Sequence, residues 1–431
     1  MKRYILLLQI IGAFTFLSTS IFAQSQLEKM LFDLPDVVFK KLETPEGFEA
    51  AYELHIKQPL DHNDPSKGHI YQRAFLSHKG FNRPMVMATE GYARPRNRMY
   101  ELTTMLDANQ LNIEHRYFGT SVPDSMDYTY LTFEQMAEDL HHINQLFKQL
   151  YKSKWVSTGI SKGGTTTIFY RYFYPNDVDV AVPYVAPVNY EYEEKRIYEF
   201  LDKVGTTECR EDIKEIQVRL LKEREKVLPL LRWYAKGAKH EFTYLTLEEA
   251  FEYAVLEYPF SFWQWGHDCS KIPSADAELE VVLQNFMDVV GISFYSDADM
   301  AAFASHYYQS STQMGYYGYE TDEFKDLLKV LPTDSNPYAS FTPNKMKVKF
   351  DGTLTNKVAN WLKTDGNNFM YINGGIDTWS ATGVEKSDKV NSKWFVLEGK
   401  DHAKARIANM TDEEKKEFKA TLGEWLELEI K

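Results

Sequence analysis

Lys154-Trp155-Val156-Ser157-Thr158-Gly159-Ile160-Ser161-Lys162-Gly163-Gly164 is the stretch on which the fold turns. A short apolar run climbs into Gly159, Ser161 and Gly163, and a helix-like segment, Thr165 to Tyr174, follows. That G-x-S-x-G spacing predicts a strand, a tight turn carrying the serine, and a helix. Glycines flank Ser161 because the turn is strained and leaves no room for neighbouring side chains. The helix that follows aims backbone N–H groups at the place where an oxyanion develops. The competing interpretation is a glycine-rich turn with an inert serine, so the pattern needs support from the rest of the chain.

Around this turn the chain reads as strands separated by helices. Ala50–Ile56, His69–Ser77, Met85–Thr89, Leu111–His115, Trp155–Thr158 and Val178–Val185 have strand character, and Arg98–Asp107 and Phe133–Tyr151 have helical character. Such alternation implies an α/β fold with a mostly parallel sheet, as an α/β-hydrolase has. From Tyr190 onward the text becomes charged and helical, as in Glu193–Val204, Asp212–Ala235 and Leu247–Glu257. Strand text resumes at Asn368–Ile372 and Lys393–Leu397, and a helix over Thr411–Leu428 closes the chain. The expected organisation is therefore a hydrolase domain in two parts, 24–189 and 346–431, interrupted by a helical cap at 190–345.

Met1-Lys2-Arg3, the apolar run Tyr4–Leu17 and a small-residue ending at Ala23 form the pattern of a secretory signal peptide over 1–23. Cleavage after Ala23 implies a secreted or periplasmic protein. No later run approaches the length of a membrane span, and no cysteine at the cleavage point offers a lipid anchor. A net charge of −13 argues against nucleic acid as a partner. Cys209 and Cys269, the only cysteines, are expected to pair, closing a loop worth about 4 kcal/mol, with two separate thiols as the alternative. Nothing in the text has metal-ligand or phosphate-loop spacing, so no cofactor is expected.

A hydrolase of this architecture needs an acid and a histidine after the serine, in that order. His402, in the loop after Lys393–Leu397, is the only histidine beyond His306. Asp377 follows a buried-looking strand and the pair Gly374-Gly375, where an acid would hold the imidazole tautomer. Asp365 and Asp388 do not follow a strand directly, and Asp401 is expected to be exposed. The oxyanion donors are expected from the Lys162 amide and from the loop Glu90-Gly91-Tyr92, with Tyr92 ahead of Gly91.

Glu114-His115-Arg116-Tyr117-Phe118-Gly119, Ser121-Val122-Pro123, Tyr130-Leu131-Thr132-Phe133-Glu134-Gln135 and Gln58-Pro59-Leu60-Asp61-His62 resemble the prolyl carboxypeptidase and dipeptidyl peptidase II group of serine peptidases. Asn373-Gly374 with Asp377 and Trp379 is similar to that group's acid loop. Lysine after the serine, Tyr174-Pro175-Asn176-Asp177 and Pro183-Tyr184-Val185-Ala186-Pro187 resemble more closely the secreted bacterial tripeptidyl aminopeptidases of serine-peptidase family thirty-seven. The resemblance spans roughly 50–190 and 365–405. It departs from the prolyl-specific group at Lys162, where that group has an aromatic residue. It implies an exopeptidase acting on peptides with a free N-terminus, whose ammonium Glu90 would grip. Glu90 is equally readable as a structural carboxylate. Phe262, Trp263 and Trp265 of the 258–265 aromatic cluster, with Trp379, are candidates for a substrate pocket or for packing between cap and body. An esterase or lipase, a prolyl-type carboxypeptidase and a non-catalytic binding protein are the alternatives.

Overall fold

The computed structural model describes residues 26–274 and 276–430, so the signal peptide expected over 1–23 lies outside the described residues. The chain divides into two compact units: Met1–Thr158, Phe173–Ala181 and Lys419–Lys431 form the first, and Gly159–Tyr172 with Val182–Phe418 the second.

The first unit opens with α1 (26–33) and continues through β1 (Val37–Lys41), β2 (Ala50–Pro59), β3 (His69–His78) and β4 (Met85–Thr89). Then follow α2 (Glu101–Met105), β5 (Asn109–Ile113), α3 (Phe133–Lys148) and β6 (Trp155–Ile160). Strand order is β1-β2-β3-β5-β4-β6. The pairs β1–β2, β2–β3 and β3–β5 are antiparallel, whereas β4 runs parallel to β5 and to β6. Burial follows from this topology. β2 alternates buried and half-buried residues along its last six positions, as an antiparallel strand with one wetter face does. β4 and β5 are buried at every position, as parallel strands covered on both faces are. Thr132 caps α3 by accepting from the Gln135 N–H.

Several polar residues of this unit have buried partners. His141 stacks on Tyr174 at 3.9 Å and contacts Asp177 at 2.7 Å, and His142 Nδ1 meets Gln58 Oε1 at 2.8 Å. Glu114 forms an ion pair with Arg73, and Arg116 forms one with Asp139 at 2.9 Å.

The second unit begins at the end of β6 and holds α4 (Lys162–Phe173), most of β7 (Val180–Tyr184), β8 (Met370–Gly374) and β9 (Lys393–Leu397). β7–β8 and β8–β9 are parallel. Between β7 and β8 the chain forms α5 (Arg196–Leu201), α6 (Thr207–Lys222), α7 (Arg224–Ala238), α8 (Leu247–Gln264), α9 (Leu279–Val289), α10 (Asp297–Ala302), α11 (Ala304–Gln309) and α12 (Thr353–Thr364). α13 (Asp412–Leu426) follows β9. The helix expected to end at Glu257 instead continues to Gln264, through Pro259. Proline removes the N–H that would reach the Val255 carbonyl. Gln217 Nε2 on α6 supplies the missing donor at 2.8 Å, so the helix continues. The stretch expected as one helix from Asp212 is broken at Glu223 into α6 and α7. Cys209 on α6 and Cys269 just past α8 form a disulfide with Cα atoms 5.5 Å apart.

Candidate active site

Ser161 stands at the end of β6 with φ +57°, a left-handed conformation that non-glycine residues rarely hold. Two hydrogen bonds fix it there. Its N–H donates to the Tyr184 carbonyl at the end of β7 (2.9 Å), and its carbonyl accepts from Thr165 N–H (3.1 Å), opening α4. Packing is tight at Gly164, where a Cβ would stand 2.7 Å from the Ala186 Cβ and 3.0 Å from the Tyr184 carbonyl. Thr165 Oγ1 adds a 2.7 Å bond to the Pro187 carbonyl.

Register then brings the other two loops to the same edge. Tyr184 pairs with Ile372, and Gly374 pairs with Leu397, so β7, β8 and β9 end together. Asp377 lies three residues beyond β8 and is fully buried. Its Oδ1 accepts from Trp379 N–H at 3.1 Å, and its Oδ2 accepts from Ser380 Oγ at 3.1 Å. That same Oδ2 lies 2.9 Å from Nδ1 of His402, five residues beyond β9. An aspartate so placed orients a ring and stabilises its cation. His402 N–H donates to the Gln264 carbonyl at 3.0 Å, and the half-exposed Trp265 ring meets the imidazole edge-on at 5.9 Å. Among the described residues the Ser161 hydroxyl makes no hydrogen bond to the ring. Unliganded hydrolase sites often form that bond only when substrate arrives. Asp401, expected to be exposed, is buried: it accepts from Ala403 and Lys404 N–H groups and packs against Gly266.

The remaining candidates separate. Lys162 follows the serine as the first residue of α4, with its side chain buried and its amine pushed well below the usual range by burial. The His306 imidazole is pushed down to about 3, first by burial and then by the Lys162 charge. In the first unit Glu90 is held by protein partners: Oε2 accepts from Arg94 at 2.9 Å and Oε1 from Tyr100 OH at 2.7 Å. Gly91 is buried, and Tyr92 packs against Phe118 at 5.6 Å, where burial raises its phenol pKa. Phe262 and Trp263 are buried in helix packing, the latter against Gly205, whereas Trp379 joins Phe260 and Tyr317 beside the acid loop. Sequence reasoning took Phe260 only as part of the 258–265 cluster; it missed Tyr317 and Tyr319, which look like ordinary core aromatics, and Glu257, one more acid in a charged helix. Among the described residues no group of three or more His, Cys, Asp or Glu side chains is arranged to hold a metal, and no helix is long and apolar enough to cross a membrane.

A family model described as PS-10 peptidase S37 matches residues 26–429. The chain is similar to the prolyl tri/tetrapeptidyl aminopeptidase of Streptomyces mobaraensis, with 30% identity over 93% of this chain and 85% of that protein. It is also similar to the human lysosomal Pro-X carboxypeptidase, with 22% identity over 73% of each chain. Among solved structures, a proline iminopeptidase from Mycobacterium smegmatis aligns at 14% identity and TM-score 0.41, covering 86% of this chain and 97% of its own.

Proposed function

The chain belongs to the PS-10 peptidase S37 family and is a serine exopeptidase of the α/β-hydrolase fold, and from that premise we propose that it releases short peptides, tripeptides foremost, from free N-termini. Ser161 Oγ attacks the scissile carbonyl while His402 Nε2 takes its proton, and Asp377 holds the ring through Nδ1. Collapse of the tetrahedral intermediate breaks the C–N bond, and the imidazolium returns its proton to the leaving amine. Water, activated by the same ring, then frees the acyl group and restores Ser161. The Lys162 N–H, at the start of α4, serves as one oxyanion donor. The sequence pattern assigns the second to the loop of Tyr92 and Gly91.

The observation that carries this reading is the 2.9 Å contact between His402 and Asp377, made on strand ends shared with a serine held at φ +57°. The free-terminus preference rests on the relative of known activity and on Glu90, which would grip an ammonium only by sharing its carboxylate with Arg94. The helical insertion over 190–345 acts as a cap that admits chain ends, and Trp265, beside His402, lines the approach. The signal-peptide pattern directs the protein out of the cytoplasm, and mature protein should begin at Gln24.

The test compares a free tripeptidyl chromogenic amide, its N-acetylated form and a simple ester. Hydrolysis is expected on the first alone, with Ser161→Ala abolishing both turnover and labelling by a fluorophosphonate. Equal rates on free and acetylated peptides remove the exopeptidase preference, and turnover by Ser161→Ala removes the mechanism.

A further inference from the structure

α8 supplies two main-chain acceptors to the site. The Phe260 carbonyl accepts from Thr378 Oγ1 at 2.9 Å, one residue beyond Asp377, and the Gln264 carbonyl accepts from His402 N–H. One turn before Phe260 on the same helix is Glu257, a buried carboxyl. Its Oε1 accepts from Ser261 Oγ at 2.8 Å, and its Oε2 accepts from Tyr317 OH at 2.9 Å and Tyr319 OH at 2.6 Å. No basic side chain forms an ion pair with it among the described residues. Burying a carboxyl without a cation is costly, and hydroxyl donors offset only part of that cost.

What this carboxyl fixes is the orientation of Tyr317. The Tyr317 ring stacks on Phe260 with centroids 4.0 Å apart and 13° between planes, and it meets Trp379 edge-on at 5.5 Å. Phe260 meets the same indole at 5.1 Å. The backbone N–H of Trp379, rather than its indole, donates to Asp377 Oδ1. A continuous run of bonded and packed groups thus leads from Glu257 to the carboxylate that holds His402. Loss of the acceptor would leave the Tyr317 hydroxyl buried and unsatisfied, which the ring relieves only by shifting. Such a shift moves Trp379, and the pair it braces tolerates only small errors of angle.

We propose that Glu257 is a positioning residue for the Asp377–His402 pair, acting through Tyr317 and the Phe260–Trp379 contact without touching substrate. The proposal rests on the assignment of that pair to catalysis. Two variants test it. Glu257→Gln keeps the volume but leaves one acceptor oxygen for the three hydroxyls that the carboxyl now serves, and Tyr317→Phe keeps the stacked ring and removes the hydroxyl bond that orients it. On a free tripeptidyl amide both are expected to lower kcat by roughly tenfold to a hundredfold with KM within about twofold of wild type. Fluorophosphonate labelling of Ser161 slows in proportion, and circular dichroism remains native. Should Glu257→Gln fail to fold, Tyr317→Phe decides alone. Wild-type kcat in the folded variants, or a loss carried by KM, overturns the proposal. Ser161→Ala measured alongside separates the two layers. If it still hydrolyses, the catalytic assignment fails; if it is dead while Glu257→Gln matches wild type, only the positioning role fails.

Discussion

At the residue scale the elbow is held by contacts rather than by preference. Ser161 pays for its left-handed backbone with the Tyr184 and Thr165 hydrogen bonds, and Gly164 supplies the space. Gly164→Ala is therefore expected to force its Cβ against Ala186 and the Tyr184 carbonyl. Stability should fall by about 1–3 kcal/mol, with activity lost more steeply than fold, as chemical denaturation and kinetics on one preparation would reveal. Asp377→Asn presents an amide where His402 Nδ1–H needs an acceptor, so kcat should fall on the order of 10⁴-fold with little change in KM. A variant within tenfold of wild type would remove Asp377 from its role. Ser161, Asp377 and His402 could be proposed from the sequence because the chemistry calls for those residue types, in that order, just after strands, and the structure joins the last two at 2.9 Å. Asp401 was misread: it was expected to be exposed beside the histidine, yet two backbone amides and the approach of Gly266 draw it inside.

At the element scale α8 is the structural key, and sequence rules truncated it. Proline ordinarily ends a helix, but here Gln217 on another helix takes over the orphaned Val255 carbonyl, a tertiary rescue no local rule can anticipate. Gln217→Leu should cost about 1–3 kcal/mol by leaving that carbonyl buried and unpaired. Adding Pro259→Ala, which restores an intrahelical N–H, should recover part of the loss in a double-mutant cycle. Strict additivity would show that the two groups are not linked. Glu257 stayed hidden for a similar reason. Its partners Tyr317 and Tyr319 lie some sixty residues away, and periodicity identifies a buried face without saying which polar group it encloses. The Cys209–Cys269 bridge ties α6 to the segment just beyond α8. Replacing both cysteines with serine should lower stability by roughly 4 kcal/mol in the chain-entropy account.

At the scale of the whole molecule, strand and helix alternation gave the class correctly, while β1 escaped notice because its short run Val37-Val38-Phe39-Lys40-Lys41 has no buried face to set a pattern. Two buried groups give stability an opposed dependence on pH. The Glu257 carboxyl is raised from its ordinary 4.5 to about 7, chiefly by burial against the opposing hydroxyls of Ser261, Tyr317 and Tyr319, with the Tyr295 phenol nearby. Its contribution is complete below about 4.5 and is lost as pH rises toward 7. The Tm of Glu257→Gln relative to wild type should therefore climb across that window. His306, depressed from 6.5 to about 3, acts in reverse, and its contribution is lost as pH falls below 6.5. The Glu257→Gln protein should accordingly lose a few degrees of Tm on acidification below that point, and a flat profile would contradict the burial of the imidazole. One contact also makes the protein its own instrument. Trp265, half in water and edge-on to the His402 ring, stands where whatever arrives at that ring also meets the indole. The difference in fluorescence between wild type and Trp265→Phe thus becomes a record of occupancy beside the imidazole, taken without dye or turnover.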